Sequence, residues 1–134
     1  MLEITKNERK ALRRWASIAH DRELGAELAK LGAAIETWRA GKYSPHAVSE
    51  QIHQFHDGVA RDLFRFYTRA SPESAVAQAI VGCVIAETEL PPDLLAALAP
   101  LVQFYRWEES ARAADDVDEA AAAAAADRNE QSES

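Results

Sequence analysis

Between Tyr43 and Arg69 the apolar and polar positions keep two helical rhythms at once. Val48, Ile52, Phe55, Val59, Leu63 and Phe66 recur at three- and four-residue steps, the spacing of one helix face. His46, Glu50, His53, Asp57, Ala60, Phe64 and Tyr67 form a second stripe opposite the first. That stripe begins as imidazoles and carboxylates and ends in aromatics. A helix with something to offer on both faces predicts cover on both, at least in part. Ser44 as N-cap, Pro45 at the first helical position and Tyr43 stapled onto Val48 mark where this helix starts. Gly58 inside it costs roughly 1 kcal/mol relative to alanine.

Upstream, Thr5-Lys6-Asn7-Glu8 has the form of a capping box, so a helix follows and ends near Ala40, with Gly41 in the left-handed position. Leu12, Trp15 and Ala19 set one apolar register, while Leu24, Leu28, Leu31, Ile35 and Trp38 set another that does not join it. The slip predicts a stutter or break near Asp21. The connector at 41–44 is short, so the second helix returns antiparallel to the first. Ser71-Pro72 opens a third helix to about Glu89 that is apolar nearly all round, as expected of a buried element. In it Cys83 reads as a small buried hydrophobe. After Leu90-Pro91-Pro92-Asp93 comes a fourth segment, Leu94 to Trp107, which Pro100 should kink or split.

No run of β-branched residues with period two occurs, and the class is all-α. The expected architecture is an antiparallel helical bundle built on a long helical hairpin, with a buried third helix and a Pro-kinked fourth segment. Residues 1–107 form a single helical-bundle domain on this reading. Residues 108–134 form an acidic, Ala-rich tail, either disordered or an isolated fraying helix.

Charge sharpens that division. The chain has a net charge of −7, all of it in the tail, because residues 1–107 carry as many bases as acids. A balanced folded part disfavours nucleic acid as a partner, despite the basic first helix and Arg61, Arg65 and Arg69, since polyanion binding needs a basic footprint. One cysteine excludes an intramolecular disulfide and a CxxC metal site. The N-terminal decapeptide is polar and the longest apolar run is too short to span a bilayer, which places the protein in the cytoplasm with no membrane contact.

Two candidate chemistries remain on the second helix. Glu50 and His53 have the Glu-x-x-His spacing of di-metal carboxylate bundles, with Asp57 next on the same stripe. Only one such motif exists, so a centre for iron, manganese or zinc would need a homodimer to supply the second copy. His53 oriented by Asp57 has the spacing for acid–base work, yet no serine, threonine or Gly-rich loop stands in a nucleophile or phosphate context. The favoured expectation is a non-catalytic interaction or self-association module, with a protein partner or a second copy meeting His46, Glu50, His53, Asp57, Phe64 and Tyr67. Exposed, Phe64 marks a partner surface. Either Tyr105 and Trp107 of the fourth segment cover it, or a second subunit does.

Overall fold

The computed structural model describes residues 4–132. Five α-helices account for most of them: α1 (Lys6–Arg39), α2 (Pro45–Gln54), α3 (Ala60–Arg69), α4 (Pro72–Val81) and α5 (Pro92–Ser132). A π-helical turn, Phe55–Val59, joins α2 to α3, and a 3₁₀ turn, Glu87–Glu89, precedes α5. Among the described residues there is no strand, and the protein is all-α.

The helix starts follow local chemistry. Thr5 and Glu8 cap α1 reciprocally, with the Glu8 amide donating to Thr5 Oγ1 at 3.1 Å and the Thr5 amide to Glu8 Oε1 at 3.4 Å. Ser44 and Ser71 accept from Ala47 and Ser74 at 3.1 and 3.2 Å, each followed by proline, whose missing N–H costs nothing at that position. Gly41, at φ 75°, turns the chain out of α1. Tyr43 is tied by its hydroxyl, which accepts from Gln51 Nε2 at 2.6 Å.

One contiguous core joins the first half of α1 to α4 and the start of α5. Leu12 and Ala19 meet Val76, Ala77, Ala79 and Ile80, with Ile85 and Leu90 from the connector and Leu94, Leu98 and Val102 from α5. α4 is the most buried helix of the fold, with five of its ten residues in the interior. Arg22 fastens the connector to α1: its guanidinium donates to both Glu89 carboxylate oxygens at 2.9 and 2.7 Å and to the Val84 carbonyl at 2.9 Å.

Four sequence expectations are corrected. α1 runs unbroken through Asp21. Its two registers need not join, because the first half packs chiefly on α4, α3 meets the middle at His20 and Glu23, and α2 lies along the second half. The third helix stops at Val81 rather than near Glu89, since Cys83 takes the left-handed conformation at φ 61°. Its thiol is exposed instead of buried. The fourth segment begins at Pro92 and is neither split at Pro100 nor ended at Trp107. The carbonyl that Pro100 leaves without a donor belongs to exposed Ala96, where water can satisfy it. Residues 108–132 continue α5 as a helix exposed along nearly its whole length. Glu133 and Ser134 of the tail lie outside the described residues.

The π-turn has no counterpart in the sequence reading. There the Ala60 amide donates to the Phe55 carbonyl five residues back. The wide turn inserts one residue, which retards the helix by about 100°. Phe55, Val59, Leu63 and Tyr67 follow one another at four-residue steps, a spacing that drifts about 40° per step on a regular helix. The inserted residue cancels most of that drift, so Leu63 and Tyr67 both return toward α1.

Candidate interaction surface

The two aromatics that the sequence pattern puts together stand about 60° apart on α3, and only one of them meets α1. The Tyr67 ring turns inward, stacks on His20 with centroids 4.7 Å apart, and donates its hydroxyl to Glu23 Oε2 at 2.5 Å. Burial first, and then the Glu23 carboxylate that accepts its proton, push the Tyr67 phenol well above its ordinary range. It is a structural link between α1 and α3. Phe64 stays outside, 62% exposed. Tyr105 and Trp107 do not cover it: Tyr105 is hydrogen-bonded to Ser74, and Trp107 is itself 67% exposed.

Phe64 stands as a ridge between two depressions. On one side Arg13, Ser17 and His20 of α1 and Tyr67 and Thr68 of α3 line a groove of about 310 Å³ that ends at Pro72 and Ala75. On the other, His56, Asp57, Ala60 and Arg61 line a shallower one of about 440 Å³. Neither Arg13 nor Arg61 nor Arg65 has an acidic partner among the described residues. Each positive head is therefore available beside an exposed aromatic.

The polar half of the stripe is laid out along open helix surface. His46 is exposed in the first turn of α2. Glu50 accepts a hydrogen bond from Gln54 at 3.3 Å, and His53 Nε2 lies 3.2 Å from Asp57 Oδ2 across the π-turn. The structure thus brings His53 and Asp57 together and leaves Glu50 with a different neighbour. Among the described residues no three His, Cys, Asp or Glu are grouped to hold a metal ion. A centre with Glu50, His53 and Asp57 would need ligands from outside the chain. His53 and Asp57 form a pair on open helix surface, with Asp57 at the edge of the shallow depression beside Phe64.

No family model, curated protein or solved structure matches the chain. Arg13, Ser17, His20 and Thr68 lie outside the stripe, because α1 supplies three of them and only its packing on α3 brings them to Phe64. Their three- and four-residue steps on α1 were the available signal, and that signal names a face without naming its neighbour. Among the described residues, no helix is long and apolar enough to cross a membrane.

Proposed function

We propose that the protein is a small, cytoplasmic, non-catalytic interaction module that self-associates through the outer face of its helical hairpin, with Phe64 at the centre. The single observation that carries this reading is Phe64 itself: a large aromatic left mostly exposed between two grooves, with no cover from the described residues. Interfaces are anchored by such side chains, set among groups that exclude water and orient the partner. His53, Asp57 and Glu50 extend the face with polar groups, and His46 lies at its far end. On this reading the antiparallel hairpin is the platform and the buried helix α4 its support.

Sedimentation velocity over a concentration series tests it. The wild-type chain should shift from monomer to a larger species, and Phe64→Asp should hold it as a monomer while leaving its helical circular dichroism intact. Equal association by wild type and Phe64→Asp would contradict the assignment of this face.

A further inference from the structure

Charges without an ionic partner include two groups of opposite sign. Lys6, Lys10 and Arg13 follow one another on one face of α1, and Arg61 and Arg65 stand beside Phe64 on α3; none is paired with an acid among the described residues. Asp115, Asp116, Asp118 and Glu119, also without a base, all lie in the exposed extension of α5. By contrast, α1 beyond Asp21 and the connector neutralise their charges internally, through Arg22–Glu89, Lys30–Glu27 and Arg106–Glu87. The Phe64 face also carries Asp57, held by His53, and Asp62, yet Arg13, Arg61 and Arg65 leave it net positive, opposite in sign to the extension.

The match goes beyond sign. Val117 is 67% exposed on the extension, and neighbouring residues on a helix diverge by about 100°, so Asp116 and Asp118 flank it on either side. Phe64 is likewise an apolar ridge, flanked by Arg13 on the groove side and Arg61 on the other. Residues 108–132 carry the helix roughly 35 Å past the core at 1.5 Å per residue, far enough to lie along another molecule. With no core of its own to pack on, such a helix gains most from a partner surface.

We propose that the occupant of the Phe64 face is the α5 extension of a second copy of this chain, with Val117 seated against Phe64 and Asp116 and Asp118 opposite Arg13, Arg61 and Arg65. This rests on the self-association reading and names the other half of the contact. Each chain carries both halves, so a two-fold dimer exchanges its extensions reciprocally. The attraction is between partly exposed charges, and it weakens as salt rises.

Charge reversal on the full chain tests it. Arg61→Glu/Arg65→Glu and Asp116→Lys/Asp118→Lys should each keep the wild-type circular dichroism and each weaken self-association about tenfold or more. Mixing the two variants should restore association, because each acidic extension then meets a basic face and each basic extension an acidic one. The wild-type complex should also weaken at about 1 M salt, where the Debye length is about 3 Å. A wild-type chain that remains monomeric at low salt overturns the proposal, as does a mixture that fails to associate. Association abolished by Phe64→Asp yet unmoved by the aspartate reversal would overturn this inference alone and leave the Phe64 face standing.

Discussion

Two halves of α1 have opposite surroundings. Residues 6–20 bury Leu12 and Ala19 against α4 and α5, and Leu12 is completely enclosed. Residues 24–39 bury only Ala34, and Leu28 is 49% exposed. Across the hairpin α2 buries only Val48, while Ile52 is exposed. Three helical glycines, Gly25, Gly32 and Gly58, fall in this distal part, and none is needed for close approach, since a Cβ on each would meet open space. One end of the molecule is held by packing, and the other by helix propensity and surface pairs. The hairpin is accordingly the less tightly packed part, and Phe64 lies where it joins the core end.

The largest effect should come from cutting the core. Leu98→Ala removes a fully buried side chain and should cost about 2–5 kcal/mol in denaturant unfolding. Leu28→Ala, at the exposed end, should cost less than about 1 kcal/mol. Equal losses would erase the distinction between the two ends. Strengthening the weak end is the next test. Gly25→Ala and Gly32→Ala should each stabilise by about 1 kcal/mol, read as a rise in the denaturation midpoint. Gly58→Ala has the space to do the same, unless the π-turn relaxes to a regular helix and Tyr67 loses Glu23.

A smaller effect concerns the end of α4. Cys83 occupies a left-handed position beside Gly82, which does not. Exchanging the two preferences, by Gly82→Ala with Cys83→Gly, should raise the melting temperature by the equivalent of about 1 kcal/mol. Cys83→Val should lower it. A Cβ added at Gly82 would lie 3.4 Å from the Gln78 carbonyl oxygen, a tight but tolerable approach.

The smallest effect is electrostatic. The Arg22 guanidinium, helped by the Ala86 amide, lowers the Glu89 carboxyl to about 2. A carboxyl depressed by folding stabilises the fold above its ordinary value, and that stability fades as pH falls toward about 2. Glu89→Gln should therefore flatten the acid side of the stability profile, by a modest amount for so exposed a pair.

Much of the fold was legible because local chemistry writes it. The Thr5 box, the Ser-Pro starts and Gly41 mark helix ends with no help from tertiary structure. What failed depended on neighbours. The register slip at Asp21 looked like a break, since the sequence does not say that α1 changes partners midway. Gly82 drew no attention inside an apolar run, and Cys83 carries no signal for a positive φ. The site is half legible: Phe64 stands out, whereas Tyr67, about 60° round the same helix, falls on the side that packs on His20 and Glu23 of α1, which no local pattern names. Arg13 and His20 could join the site only once α1 and α3 were packed together.

Amide hydrogen exchange at low and high protein concentration would decide whether the Phe64 face meets the α5 extension of a second copy. Raising the concentration should protect α3, the first turns of α1 and residues 108–120 of α5 together, with no change in α4, which is already buried. Protection that stays the same at both concentrations, or that grows at the Phe64 face without residues 108–120, would contradict this pairing.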